Sequence, residues 1–313
     1  MDLRQLRYFI GIVEAKSFSR AAISLRVAQP ALSLHVRNME ADLGTELLLR
    51  TPQGVVPTAA GELLLERARR LVADFEDMKR AVSESDNEPA GEVRLGLPGT
   101  IGELLSVPLI LKTRQAYPRI HLTVAEAMSG FVLEWLAEGR VDLGLLYIPD
   151  DRHGLRSVAL LSEELCLFGP AEGVPGCPPP QGGTATLDEI CRMPLVLPGI
   201  GHGLRTLVDA EMERAGLEIA TVIDVDSYGA IKELVAQRVG YSILPFNAIA
   251  REVEAGRFLS WQAGQPALSR NVHLVQPFDR PTAKAATAIE ALCRETLAQL
   301  VASGHWRARL IDG

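Results

Sequence analysis

The sequence predicts an α/β protein with a small all-α winged helix-turn-helix domain at its N-terminus. Three observations point there. Apolar residues recur at helical spacing in three short segments before Gly44, a hairpin pattern bearing Pro52 and Gly54 follows, and strand-like and helix-like runs alternate beyond Gly91. With 313 residues, 47% hydrophobic and 23% charged, the chain has room for two or three domains and the composition of a water-soluble globular protein. No apolar run approaches the roughly 18 residues of a membrane span. The first twenty residues carry Glu14 and Lys16 and lack a small-residue cleavage site, unlike a signal peptide. A cytoplasmic protein without membrane contact is therefore expected.

Leu3, Leu6, Phe9, Ile10 and Val13 give a first amphipathic helix. Ser19 is placed to cap a second, Arg20 to Arg26, whose Ala21 and Ala22 permit close packing. A third opens at Gln29 with Pro30 in its first turn and stops near Gly44. Short strands Glu46 to Arg50 and Val55 to Thr58, joined by Thr51-Pro52-Gln53-Gly54, form the wing. Thr58 caps a long helix running to about Ser85. Along it Leu64, Ala68, Leu71, Phe75, Met78 and Val82 step by 4, 3, 4, 3 and 4 residues, a seam suited to coiled-coil dimerisation. The alternative is a helix packed on its own domain.

Ser83 to Gly91 is polar, ends in Pro and Gly, and reads as a hinge. Beyond it, strands are expected at Glu92 to Leu97, Ile120 to Ala127, Val141 to Ile148, Glu164 to Phe168, Leu195 to Leu197, Ile219 to Val225, Tyr241 to Leu244 and Asn271 to Val275. Helices fit at Glu103 to Ala116, Val132 to Glu138, Leu204 to Ala215 and Ile231 to Gln237, implying mostly parallel sheets.

Charge separates the two parts. The net charge is −7, yet residues 1–60 hold seven basic against five acidic side chains, +2, which leaves −9 for the remainder. Between residues 4 and 37 six basic side chains face Glu14 alone. A basic front on an acidic body assigns phosphate contact to the N-terminal module only. On the third helix, at 100° per residue, Leu32, Val36, Met39 and Leu43 share a stripe that must be buried. Pro30, Ser33, Leu34 and Arg37 fall opposite, with Gln29 at the helix mouth. Amide, hydroxyl and guanidinium are the groups that read base edges. His35 lies beside the buried stripe and reads as a packing residue. Arg50 belongs to the wing, near backbone or minor groove.

These residues carry a resemblance. SFSRAAISLRVAQPALSLHVRNMEADLGTELLLRTPQGVVPTAAG resembles the N-terminal signature of the LysR-type transcriptional regulators: an AA pair, QPALS, an LG, a leucine-rich run ending in Arg, and P-T-x-A-G opening the linker helix. Leu34, His35 and Met39 depart from the common residues. GEVRLGLPG, EGRVDLGLLY and VGYSILP are similar, more weakly, to the family's strand-edge motifs. The resemblance implies residues 1–58 as DNA-binding domain, 59–86 as linker and dimerisation helix, 87–91 as hinge, and 92–313 as a two-lobed effector domain like periplasmic binding proteins. Lobe I would span about 92–165 and 266–305, and lobe II about 166–265. It further implies tetramers and a small ligand in the interlobe cleft that alters DNA bending.

Ligands of open α/β sheets bind where strand ends meet helix N-termini. The matching places are Gly99 and Thr100, Ser129, Gly201 and His202, and Ser227. Thr100, Ser129 and Ser227 suit either helix capping or a ligand, and several aimed at one cleft suit an anion. Arg205 offers a bidentate partner or an ion pair with Asp209. Tyr147 and Phe246 would supply apolar wall. Cys166, Cys177, Cys191 and Cys293 show no metal-ligand spacing, and only Cys177, in a Pro/Gly-rich run, is expected to be exposed. No second ligand suits His202, GIGHG lacks the dinucleotide spacing, and no nucleophile–base pair stands out. No cofactor, metal or enzymatic activity is expected. The expected function is a ligand-responsive regulator that binds an interrupted palindromic promoter as a dimer of dimers, with RNA polymerase a further candidate partner. The alternative is a small-molecule-binding protein whose front merely bridges DNA non-specifically.

Overall fold

A computed structural model describes residues 1–52, 54–83, 88–147, 154–219, 221–278 and 283–311, without side chains at 77, 80–83, 221 and 222. Gln53 of the hairpin turn, residues 84–87 of the expected hinge, Ile148 and the side chain of Val82 lie outside the described residues.

Three helices open the chain: α1 (Leu3–Ala15), α2 (Phe18–Leu25) and α3 (Gln29–Leu43). Asp2 and Gln5 form a reciprocal capping box on α1. The cap of α2 is Ser17 rather than Ser19, because starting at Phe18 packs that ring against the core beside Ala21 and Ala22. α3 carries Pro30 in its first turn and stops at Gly44, φ 68°, as its sequence requires. Its buried stripe is Leu32, Val36 and Met39, one turn shorter than expected. Leu43 is 46% exposed because Leu47, beyond the Gly44 turn, takes the core position next to Met39.

Strands β1 (Leu48–Thr51) and β2 (Gly54–Pro57) make the antiparallel wing, with Arg50 opposite Val55. Thr58 anchors α4 (Ala59–Ser83): its hydroxyl donates to the Glu46 carbonyl (2.7 Å) and accepts from the Gly61 N–H (3.0 Å). The predicted seam then divides. Ala68 is fully covered by Leu6, Phe9, Met39 and Leu47 of its own domain, with Leu64 packed beside it, so Ala68 cannot meet a partner. Leu71, Phe75 and Met78 take no place in that core and remain 54%, 38% and 52% exposed.

The body alternates as β3 (Gly91–Leu97), α5 (Gly99–Ala116), β4 (Ile120–Glu126), α6 (Ser129–Ala137), β5 (Leu143–Leu146) and the long β6 (Leu155–Gly169). There follow β7 (Thr184–Ala185), α7 (Leu187–Ile190), β8 (Leu195–Leu197), α8 (Gly203–Arg214), β9 (Thr221–Asp224) and α9 (Tyr228–Ala236). Last come β10 (Ser242–Pro245), α10 (Phe246–Glu254), β11 (Leu259–Ala263), β12 (Ser269–Pro277), α11 (Lys284–Ala302) and β13 (Ala308–Leu310). The first sheet orders β4-β3-β5-β12-β6. Up to Glu164, β6 pairs with β12 and β13; from Leu165 onward it pairs with β10 and β11. One apolar core gathers Val93 to Leu161 with Val272 to Trp306, and a second gathers Leu165 to Leu268.

The sheets are not mostly parallel. β3–β4, β3–β5, β8–β9 and β11–β7 are parallel, but every partner of β6 and β12 is antiparallel, since these strands cross between the lobes in opposite directions.

A Cβ on Gly61 would strike the Leu47 carbonyl, a backbone atom that cannot swing aside. Gly61→Ala is expected to destabilise the N-terminal domain by about 1–3 kcal/mol, measured by urea unfolding followed through that domain.

Candidate functional site

The first candidate surface is the outer face of α3. Pro30, Leu34 and Arg37 are exposed, Leu34 to 52%, while Gln29 and Ser33 are half-buried. Gln29 Nε2 donates to Ser33 Oγ at 2.9 Å, which fixes both head groups on one edge of the helix. His35 turns inward, its ring centroid 5.1 Å from that of Tyr8. Arg50 is exposed on the wing, its guanidinium carbon 5.1 Å from the Phe18 ring. Amide, hydroxyl, methyl-bearing and cationic groups are thus presented together, with the charge to approach a phosphate backbone.

The second is a cavity of about 570 Å³ between the lobes. Gly99 and Thr100 of α5, Ser129 of α6, Tyr147, Gly201 and His202 all line it. Thr100 and Ser129 are not caps. The N-cap positions are Pro98 and Met128, neither helix has a side-chain cap, and the first residues of both helices line the cavity. Thr100 Oγ1 bonds the Tyr147 hydroxyl at 2.8 Å, and Ser129 Oγ accepts from the Tyr147 N–H at 3.3 Å.

Three expected residues lie elsewhere. Arg205 Nε reaches both carboxylate oxygens of Asp209 at 2.8 Å and its Nη1 reaches Asp224 at 2.7 Å, which holds it flat on α8. The Ser227 hydroxyl caps α9 by accepting from the Ala230 N–H. Phe246 opens α10 in another cavity, under the Arg307 guanidinium at 4.7 Å.

The group that sequence reasoning missed is Arg270. It stands on β12 directly opposite Glu163 of β6, 4% exposed, and lines the cavity. Its Nε donates to Glu163 Oε1 at 2.6 Å, and Trp306 Nε1 donates to Glu163 Oε2 at 2.9 Å. Its guanidinium carbon sits 3.4 Å from the Tyr147 ring centroid, and its Nη2 is buried with no hydrogen-bond partner. Burial opposes the charge, but Tyr147, Glu163 and Tyr228 outweigh it and hold the pKa above the ordinary arginine value. Burial raises the Tyr147 and Tyr228 hydroxyls. The only signal in the sequence was an arginine in an apolar strand and a glutamate in another, 107 positions apart.

His202 is a structural acceptor here. Its Nδ1 accepts from the Leu204 N–H at 3.2 Å and caps α8. Burial lowers its pKa against the pull of Asp226. Cys166 and Cys293 are buried and their thiols are pushed up to about 11 and about 12. Cys177 is half-buried rather than exposed, as is Cys191, and burial raises Cys177 as well. Among the described residues no helix is long and apolar enough to cross a membrane.

Two family models match the chain. Residues 3–62 match the lysR-family bacterial regulatory helix-turn-helix protein, and residues 86–298 match the LysR substrate binding domain. The chain belongs to the LysR family of ligand-responsive transcriptional regulators. Among its LysR relatives, the nitrogen assimilation regulatory protein nac of Escherichia coli K12 is 30% identical over 96% of this chain and 97% of its own. The nac protein of Klebsiella aerogenes is 31% identical over 88% of each. A full-length OxyR variant from Pseudomonas aeruginosa superposes with a TM-score of 0.74 at 22% identity, covering 95% of this chain and 94% of that one. CbnR complexed with its target DNA superposes at 0.63 and 24% identity, covering 96% and 99%. These two superpositions establish the shared LysR fold.

Because the folded pKa of His202 lies below its unfolded value of about 6.5, its cap stabilises above that value and is lost as pH falls through the folded pKa. Between pH about 7.5 and about 5.5, wild-type stability should fall. His202→Asn, which keeps an acceptor without a titrating ring, should reduce that fall by up to about 1 kcal/mol, read as midpoint shifts in thermal unfolding.

Proposed function

We propose that this regulator reads an interrupted palindromic promoter site with paired α3 helices and answers to a small ligand in the interlobe cleft. Gln29, Ser33 and Arg37 enter the major groove, Pro30 and Leu34 make apolar contact with base edges, and Arg50 anchors the wing on the backbone. The observation that carries this reading is the outer face of α3. It presents an amide–hydroxyl pair and a free guanidinium on a basic domain, joined to a body that is acidic and cannot coat nucleic acid. A dimer through Leu71, Phe75 and Met78 would set two such helices about one duplex turn apart. Pairing of two dimers, contact with RNA polymerase, a cytoplasmic site of action and the lack of an enzymatic reaction complete the reading. Thr100, Ser129 and Tyr147, with the open helix ends of α5 and α6, form the ligand site and favour an anionic group.

Fluorescence anisotropy with the protein's own upstream intergenic duplex and a scrambled duplex, at two salt concentrations, tests the reading. The native duplex should bind at least about a thousandfold more tightly. Arg37→Ala should lose about 1–3 kcal/mol of that preference. Equal, steeply salt-dependent affinities for both duplexes would reduce the front to a non-specific phosphate binder.

Leu71→Glu with Phe75→Glu places like charges on the exposed half of α4. Sedimentation velocity should show the dimer shifted to monomer; an unchanged dimer would remove this face from the interface.

A further inference from the structure

The cleft holds more charge than an anion site requires. Its floor is Arg270, whose Nε is committed to Glu163 while Nη2 is buried and unpartnered. The guanidinium also interacts with the Tyr228 hydroxyl, and as the one cationic side chain of the cavity lining among the described residues it is the group that draws an anionic acceptor. Both oxygens of Glu163 are already engaged, one by Arg270 and one by Trp306, so Glu163 cannot turn to satisfy Nη2. The uncapped N-termini of α5, 18 residues long, and α6, 9 residues long, open on the same space.

The rim is of opposite sign. Glu103 of α5, Glu134 of α6 and Asp226 before α9 line the cavity and are exposed. Among the described residues no cation is paired with any of them. Asp226 accepts a hydrogen bond from the Gly199 N–H, and Glu103 and Glu134 have no bonded partner. One arginine against three carboxylates leaves the lining at −2 with His202 uncharged. A simple anion bound on the floor would meet that rim as like charge. A molecule carrying its own cation would instead satisfy both ends.

We propose that the ligand is a small amino carboxylate. Its carboxylate lies against the Arg270 guanidinium and the first amides of α5 and α6, and its ammonium lies among Glu103, Glu134 and Asp226. Met128 and Phe131, half-exposed at the cavity edge, cover the carbon skeleton between. Glu103 and Glu134 belong to one lobe and Asp226 to the other, so an ammonium between them draws the lobes together. This inference rests on the cleft being the ligand site, and the experiment separates the two.

Full-length protein is titrated calorimetrically, at millimolar concentrations, with the common α-amino acids, 4-aminobutyrate and 6-aminohexanoate. For each, the matched deaminated acid, decarboxylated amine and dicarboxylate serve as controls. The expected result is binding by an amino carboxylate at least about tenfold tighter than any of its three matched controls. Glu134→Gln, at an exposed position that supports no fold contact, should weaken that ligand about tenfold and leave the matched acid unchanged. Arg270→Met leaves Glu163 unpaired and is paired with Glu163→Gln so that the fold survives; the double variant should lose the ligand. Binding of the acid or dicarboxylate as tightly as the amino carboxylate, or no binding by any member of the panel, overturns the proposal. A Cβ at Gly130 meets nothing within 4 Å, so Gly130→Trp fills the cleft. An amino carboxylate that still binds this variant overturns the cleft as the ligand site.

Discussion

The body of this protein turns on one buried ion pair, Glu163 with Arg270, placed where two strands cross between the lobes. Burying two charges is expensive, and removing one partner of such a pair leaves the other stranded at a cost of about 3–5 kcal/mol. The pair is tolerated because each group is further engaged: Trp306 on the carboxylate, Tyr147 on the guanidinium face. β6 and β12 therefore keep a fixed register at the point where they leave one core for the other. The same arginine lines the interlobe cavity, so the junction that joins the two cores also reaches the proposed ligand site.

The linker side has its own fixed point. α6 begins at the cleft with Ser129 and is followed by Glu138, whose carboxylate accepts from Arg69 of α4 at 2.8 Å. Arg69 also donates to Glu14 of α1 at 3.0 Å. A helix that starts at the ligand cavity thus ends on a cation held jointly by the DNA-binding domain and the linker. Continuity of this kind carries a signal where its elements have two discrete arrangements.

Local features of the front were legible in the sequence because they are short-range. Gly44 ends α3, Thr58 starts α4, and the 3.6-residue period places Leu32, Val36 and Met39 inside. Errors arose where packing outside the element itself decided the outcome. Leu43 lost its core place to Leu47, Ala68 was taken by α1, and the first half of β6 was missed because Glu163 and Glu164 break its apolar pattern. That break is allowed only because Arg270 neutralises Glu163 from another strand. In the cleft, strand-end glycines and hydroxyls marked loops that line the interlobe cavity, since helix N-termini gather there. Arg205 and Phe246 followed those loops but were claimed by Asp209, Asp224 and Arg307. No local pattern distinguishes such side chains from those that face the cavity.

In the proposed mode of binding, a basic front reads a defined site as a pair of α3 helices while the acidic body stands off the duplex. Hydroxyl-radical footprinting of the full-length protein on its own upstream intergenic DNA tests it most directly. Two protected patches whose centres lie about 10–10.5 base pairs apart, or a multiple of that spacing, on one face of the duplex are expected. Uniform protection along the fragment, or a single unpaired patch, would rule out paired α3 helices on a defined site.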